Sequence, residues 1–485
     1  MIGFVDLTHI KKAYFIGVGG IGVSALVRLF ASRGIEIVGS DIHLPPKESL
    51  PHGIYFEGAD AEHVPHDTGV LIYSPAVPEM HVERARAREY GISELSYPEA
   101  LAEVTRPYNT IAVSGTHGKS TTTALLGKLF EAGGLDPSVI VGAEIAGWDH
   151  NLRIGGGNPP KNSRAGIFVV EACEYRRNMM HLSPQTILLT NLELDHPDYY
   201  QDLADIKSAF HDYITKAGNE GLLVVNNDDA NIRDIIRNFD GSLVRYGVGG
   251  GADLIARNIK QAASEQSFDL VWKGTPLGVF ATPLPGLYNI YNILGAVAVY
   301  LAYGGKTEAI QGTLSDFHGA SRRFEVLGTL GRATVIADYA HHPTALKAVV
   351  DATLFRYQGK RVLAIFRPHH RERTKKLFDQ FVQVIAAIPH MLLVEIYDVA
   401  GREPRTIGSA DFPMVRGGDA LPISSKDLVM AVKAKNPAID LTYVADLPEA
   451  EETARARAGG FDVILVIGAG DVDELAKRLV DQSQG

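Results

Sequence analysis

The stretch Asn109–Gly134 reads NTIAVSGTHGKSTTTALLGKLFEAGG, and its reading decides the fold. Ile111, Ala112 and Val113 form a short apolar run rich in strand formers, which Gly115-Thr116-His117-Gly118-Lys119-Ser120-Thr121 interrupts. Leu125, Leu126, Leu129 and Phe130 then recur at helical spacing, and Gly133-Gly134 supply a stop. Strand, glycine loop, lysine-hydroxyl and helix make the layout of a phosphate-binding loop. Glycines let backbone N–H groups approach phosphate oxygens, and the helix N-terminus adds positive potential. Lys119 can then reach the terminal phosphates, and Ser120 can ligate a magnesium ion. The full G-x-x-x-x-G-K-[ST] pattern needs a glycine where Val113 stands; here the glycine is Gly115, so the loop is a shortened form. An ordinary glycine turn would account for the glycines, but not for the strand and helix around them. ATP binding is the expectation.

At 485 residues the chain exceeds one hydrophobic core, and roughly three domains are expected. The N-terminus lacks a signal-peptide layout, and no apolar run approaches the ~20 residues of a membrane helix. A single cysteine, Cys173, excludes an intrachain disulfide or a cysteine-only metal cluster and fits a reducing cytoplasm. The net charge of −10 argues against nucleic acid or an anionic membrane as the main partner.

Outward from the phosphate loop, the chain is a succession of α/β units. Ala13 to Ile16 reads as a strand, followed by Gly17-Val18-Gly19-Gly20-Ile21-Gly22 and an apolar helix; a second strand ends at Ser40-Asp41. This G-x-G-x-x-G arrangement suits a dinucleotide, with Asp41 near the ribose, but any nucleotide diphosphate would satisfy it, and so would a tight turn without a ligand. Gly69 to Tyr73 ends in Ser74 at the same sheet edge. A boundary falls near residue 106. In the second unit, strands ending in Glu171-Ala172-Cys173-Glu174-Tyr175 and Asn191-Leu192-Glu193-Leu194-Asp195-His196 place Glu171 and His196 opposite Lys119 and Ser120, as ligands for a phosphate-bridging ion. Asn289 and Asn292 share the face of a helix that begins at Pro285-Gly286, as readers of an adenine edge or as caps. A third unit gathers Arg322-Arg323, Asp338-Tyr339-Ala340-His341-His342-Pro343 and Arg367-Pro368-His369-His370-Arg371-Glu372-Arg373-Thr374 at strand ends.

This order of motifs resembles the Mur ligase family over nearly the whole chain. GVGGIG (17–22), SGTHGKSTTT (114–123), EACEY (171–175), TNLELDH (190–196), GLYNIYN (286–292), SRRFE (321–325), DYAHHP (338–343) and RPHHRERT (367–374) carry the resemblance. It implies an α/β protein of three domains: a Rossmann-like UDP-sugar-binding domain (1–106), a central phosphate-loop ATPase domain with a parallel sheet (107–320) and a Rossmann-like C-terminal domain (321–485). The implied activity is an ATP-dependent amide ligation of peptidoglycan precursor synthesis, joining L-alanine to UDP-N-acetylmuramate through an acyl phosphate. A sister branch, which attaches a ready-made L-Ala-γ-D-Glu-diaminopimelate tripeptide during murein recycling, is the alternative. FRPHHRERT resembles the alanine-adding branch better.

The same resemblance implies roles for individual residues. Gly17, Gly19, Gly20, Gly22, Asp41 and Ser74 would line the UDP site. Gly115, Thr116, His117, Gly118, Lys119, Ser120 and Thr121 would hold ATP together with Asn289, Asn292, Arg323 and Asp338. Ser120, Glu171 and His196 would position magnesium; Lys119, Glu171, His196 and Arg323 would be catalytic. Tyr339, His341, His370 and Arg373 would hold the amino acid, His370 standing where the alanine-adding enzymes typically carry arginine. The expected state is a monomer or weak homodimer in the cytoplasm.

Overall fold

The computed structural model describes residues 6–156, 166–397 and 423–480, which form three sheets, each flanked by helices. In the first unit, β1 (Lys12–Ile16), α1 (Ile21–Ser32), β2 (Glu36–Asp41), β3 (Ile54–Glu57), β4 (Val70–Tyr73), α2 (Val82–Glu89), β5 (Ser93–Ser96) and α3 (Tyr97–Thr105) follow in order. Its five strands run parallel in the order β3-β2-β1-β4-β5. The order reverses beside β1, so the G-x-G-x-x-G loop opens at a topological switch point, where α/β sheets bind ligands.

The central unit begins with β6 (Asn109–Ser114) and α4 (Lys119–Ala132), then β7 (Ser138–Ile140), β8 (Leu152–Arg153), β9 (Ile167–Glu171) and β10 (Thr186–Leu189). It continues through α5 (Leu203–Ile214), β11 (Leu222–Asn226), α6 (Ala230–Ile235), β12 (Ser242–Gly247), β13 (Leu254–Gln261), β14 (Gln266–Trp272) and β15 (Thr275–Thr282) to α7 (Leu287–Ala302) and α8 (Thr307–Asp316). The ten-stranded sheet centres on β10-β6-β9, all parallel, while β13, β14 and β15 extend it as an antiparallel meander. β6 pairs with β9 on one side and β10 on the other, so Ser114, Glu171 and Leu189 end side by side.

The third unit contains β16 (Glu325–Leu330), β17 (Ala333–Asp338), α9 (Pro343–Arg356), β18 (Val362–Arg367), α10 (Arg371–Lys376), α11 (Phe378–Ile385), β19 (His390–Val394), α12 (Ser425–Lys435), β20 (Asp440–Val444), α13 (Leu447–Arg457), β21 (Val463–Gly468) and α14 (Val472–Leu479). Its sheet order is β16-β17-β21-β18-β19-β20, with only β16 antiparallel. Among the described residues no helix is long and apolar enough to cross a membrane.

The first two units share one continuous apolar core, in which Tyr108 meets Phe168 edge-to-face at 5.1 Å. The third unit has its own cores on the two faces of its sheet.

Gly115 and Gly134 separate two reasons for a glycine. Both have positive φ, +134° and +76°, but a Cβ on Gly115 would overlap Thr190 and the Asn191 backbone, whereas one on Gly134 meets open space. Gly134→Ala should therefore cost about 1–2 kcal/mol of backbone strain, and Gly115→Ala a further ~1–3 kcal/mol of overpacking. Urea unfolding of the two variants measures the difference; equal losses would mean that β10 does not press on this loop.

Candidate active site

The phosphate loop lies between the ends of β6 and β10. Thr116 donates from its backbone N to Asn191 O at 3.0 Å, and His117 N donates to Asn191 Oδ1 at 2.8 Å, so the loop is tied to its neighbour strand. Gly118 takes φ +83° immediately before α4, and a Cβ there would overlap Asn292 Oδ1. Asn292 Nδ2 in turn donates to Asn289 Oδ1 at 3.0 Å, and Asn289 Nδ2 donates to Pro285 O at 2.8 Å. Neither asparagine caps α7, whose N-cap is Gly286 without a side-chain bond. Of the two readings of this pair, the structure removes capping.

Lys119 does not project freely. Its Nζ donates to Gly115 O at 2.6 Å and lies 2.9 Å from Glu174 Oε2, with Glu174 almost wholly buried. Burial opposes ionisation of Glu174, yet Lys119 and His196 hold its carboxyl below the usual range. Lys119 is opposed by burial in the same way and raised by Glu174. His196, at φ +53°, reaches Glu174 Oε1 at 3.3 Å through Nε2. Ser120 Oγ donates to Glu171 Oε2 at 3.2 Å, and Glu171 Oε1 accepts from Gly142 N.

These groups open onto a cavity of about 640 Å³ whose far wall belongs to the third unit. Thr116 to Thr121, Glu171, His196, Asn289 and Asn292 line the central side; Arg323, Asp338, Tyr339, His341 and Arg373 line the other. Asp338 accepts from Phe324 N and Ala340 N, both at 2.8 Å, and so fixes the turn in which Arg322 and Phe324 take positive φ. Burial pushes the Asp338 carboxyl above its usual range against the opposing pull of Arg323. Arg323 itself sits over the Tyr339 ring, 4.9 Å from its centre. His341 Nδ1 donates to Tyr339 O at 2.9 Å, which leaves Nε2 as the acceptor; burial and the Arg373 charge hold this imidazole well below its ordinary value. Desolvation likewise pushes His117 down to about 3. Desolvation pushes the Cys173 thiol up to about 12, so it stays protonated at the cavity wall.

Two of the expected residues stand off the cavity lining. Gly115 is absent from the cavity lining and serves the close approach to β10. His370 is also off the lining; it caps α10, its Nδ1 accepting from Arg373 N at 3.4 Å, and thereby orients the helix that carries Arg373. The neighbour that does face the cavity is His369, whose ring stacks on Tyr397 at 5.4 Å.

The glycine cluster of the first unit lies outside this cavity. Gly19 N donates to Asp41 Oδ2 at 2.8 Å, Gly17 packs beside Ser74, Gly20 N donates to Gly17 O at 3.1 Å, and Gly22 lies under the Tyr97 ring. The two loops are nevertheless neighbours. Asn151 Nδ2 donates to Ile21 O at 2.7 Å from the central unit, and the Tyr97 hydroxyl feels the Glu171 charge.

Glu174, Glu193 and Asp195, which belong to the EACEY and TNLELDH motifs, also line the cavity, and no local signal in the sequence distinguishes them from solvated acids. Asp195 Oδ1 accepts from Arg373 Nε at 2.7 Å, with both side chains 3% exposed, across the boundary between the central and third units. Burial opposes its ionisation, yet Arg373 and the nearby histidines hold it well below the carboxylate range. Removing one partner of such a pair strands the other charge and costs about 3–5 kcal/mol, which is the loss expected for Asp195→Asn in urea unfolding. The sign with pH follows from the depressed value: the stabilisation is complete at neutral pH and is lost as pH falls below an unfolded pKa of about 3.9 toward the folded one. Asp195→Asn should therefore flatten the acid limb of the stability–pH curve. An unchanged acid limb would show that the pair does not contribute.

The chain matches the Mur ligase family catalytic domain over residues 12–109, the Mur ligase middle domain over 113–300 and the Mur ligase glutamate ligase domain over 322–470. It is 32% identical over 488 residues to the UDP-N-acetylmuramate–L-alanine ligase of Caldanaerobacter subterraneus, covering 99% of each chain. It is 33% identical over 490 residues to the enzyme of the same name from Alkaliphilus metalliredigens, again covering 99% of each. Among solved structures, UDP-N-acetylmuramate–alanine ligase MurC from Thermotoga maritima superposes with a TM-score of 0.76 at 23% identity, covering 97% of this chain and 98% of the other. A murein peptide ligase from Psychrobacter arcticus gives 0.70 at 21% identity with the same coverage.

Proposed function

The chain belongs to the Mur ligase family, and we propose that it joins L-alanine to UDP-N-acetylmuramate, converting ATP to ADP and phosphate. The observation that carries this reading is the meeting of a phosphate loop, paired with Glu174, and an arginine–histidine wall from another unit around one cavity. L-alanine is favoured over a tripeptide because full-length relatives at 31–33% identity carry the alanine name. Residues 1–106 would recognise the UDP-sugar through the Gly17–Gly22 loop, Asp41 and Ser74; residues 107–320 would hold ATP; residues 321–485 would present the amino acid. All these elements come from one chain, so a monomer or weak homodimer suffices.

Ser120 and Glu171 offer oxygens 3.2 Å apart, and His196 Nδ1 is buried without a hydrogen-bond partner. The Ser120–Glu171 oxygen pair fits a magnesium ion, which when bound would supply positive charge to the phosphate oxygens, and His196 would help to position it from beside Glu174. Lys119 would exchange Glu174 for a terminal phosphate, and Arg323 would reach the same oxygens from the third unit. Asn289 and Asn292 would face adenine, and Asp338 the ribose.

An amine cannot displace hydroxide from a carboxylate at neutral pH. A muramoyl carboxylate oxygen would therefore attack the γ-phosphorus, the bond to ADP would break, and an acyl phosphate would form. The α-amine would then attack the acyl carbon and phosphate would leave. Neutral His341, with Nε2 as acceptor, would hold the amino acid together with Arg373 and Tyr339, and the proton that the amine loses would leave with the phosphate.

Lys119→Ala should abolish phosphate release while leaving UDP-N-acetylmuramate affinity within about twofold in calorimetry, because the glycine cluster of the first unit is a separate surface. Equal loss of both would overturn that division of labour. Phosphate release measured with L-alanine, L-serine, glycine and L-Ala-γ-D-Glu-diaminopimelate tests the acceptor. Release with the tripeptide alone would move the chain to the recycling activity, and silence with every amine would refute amide ligation.

A further inference from the structure

One cluster in the cavity has no part in the reaction as derived. His117 belongs to the phosphate loop, Glu193 follows β10, and His342 is the N-cap of α9 in the third unit. Their ligand atoms all lie within 4.8 Å of one another. Glu193 Oε2 is 4.0 Å from His117 Nε2 and 3.7 Å from His342 Nδ1, and the two rings are 5.0 Å apart between centres. We propose that these three side chains form a binding site for a divalent transition ion of the zinc class, distinct from the Ser120–Glu171–His196 set, that ties the third unit to the phosphate loop.

Hydrogen bonding has already set the donor atoms. His342 Nε2 faces the Leu194 carbonyl at 3.2 Å, so that nitrogen carries the proton and Nδ1 the lone pair. A backbone carbonyl behind the ring is the arrangement that orients metal-bound histidines. Nδ1 has one weak competitor, the Thr344 N–H at 3.3 Å. Thr344 Oγ1 donates to Glu193 Oε2 at 2.7 Å and fixes the carboxylate. His117 Nε2 is buried and has no hydrogen-bond partner. An inward shift of a few tenths of an ångström to one ångström would bring three such atoms onto one ion.

The donor chemistry selects the ion. Two imidazole nitrogens and one carboxylate oxygen with an open fourth position suit zinc, cobalt or manganese, whereas magnesium prefers oxygen ligands in octahedral array. Because His342 comes from the third unit, the site is complete only when that unit is docked. A bound ion would hold the docked arrangement and slow its opening, so zinc should inhibit turnover that magnesium supports. The site does not depend on which amine is the acceptor.

The test uses the full chain without a histidine tag, in excess magnesium. Cobalt(II) titration followed by its visible d–d absorption, and zinc content after dialysis, should show stoichiometric binding to the native chain. Glu193→Gln and His342→Gln should each weaken zinc binding at least tenfold, as His196→Gln should not. Circular dichroism reports whether each variant is folded; if His342→Gln is not, Glu193→Gln decides alone. The proposal falls if the native chain binds no stoichiometric cobalt or zinc, if Glu193→Gln binds as tightly as the native chain, or if His196→Gln abolishes binding.

Discussion

A lysine ammonium sealed into a cavity cannot stand without a counter-charge, and much of the site follows from that constraint. Lys119 finds its counter-charge in Glu174, which is itself too buried to ionise without a cation. The pair extends into a chain: Glu174 touches His196 at 3.3 Å, His196 lies 3.9 Å from Asp195, and Asp195 binds Arg373 at 2.7 Å. Lys119, Glu174, His196, Asp195 and Arg373 thus form one line of contacts from the phosphate loop to the third unit. An anion that draws Lys119 away leaves Glu174 dependent on His196, which alters the field at Asp195 and so at the contact that holds the third unit in place.

The joints between units differ in kind. The first and central units share apolar core, with Tyr108, Phe168, Leu101 and Val170 in one cluster, and separating them would expose that surface to water. The third unit meets the central one through polar contacts, Asp195–Arg373, Thr344 to Glu193, His342 to Leu194, Lys376 to the Gln201 carbonyl and Ser321 N to Glu144 O, and through Tyr288 of α7, which packs against the third unit's core. Water can replace such bonds at small net cost, so the polar part of this joint resists separation less than an apolar core does.

What the sequence made legible follows from range. Parallel strands that end in glycine or acid are encoded within a dozen residues, so β1, β6, β9, β10, β17, β18 and β21 could be read locally, and the sheet then collects their ends on one edge. The pairs that make the site work have no local signature: Lys119 and Glu174 are 55 positions apart, Asp195 and Arg373 178. A buried carboxylate looks the same in sequence as a solvated one. The same limit explains His370 and Gly115, which have the right residue type beside the cavity but point their function into backbone geometry. The antiparallel extension left a faint trace because β15, TPLGVFAT, carries a proline and a glycine, and half of its residues are exposed.

The number of histidines facing this cavity has its own logic. A site for a polyphosphate needs positive charge, yet Lys119, Arg323 and Arg373 already stand in one desolvated space where each further fixed cation would repel them. Imidazoles supply directional donors and acceptors without that repulsion, since desolvation keeps His117, His341 and His342 below their ordinary values and the neighbouring cations push the same way. Their neutrality is conditional. A bound polyanion would act against both causes. Neutral imidazoles therefore line the cavity without adding to the mutual repulsion of Lys119, Arg323 and Arg373, of which Glu174 and Asp195 offset two, as further lysines would.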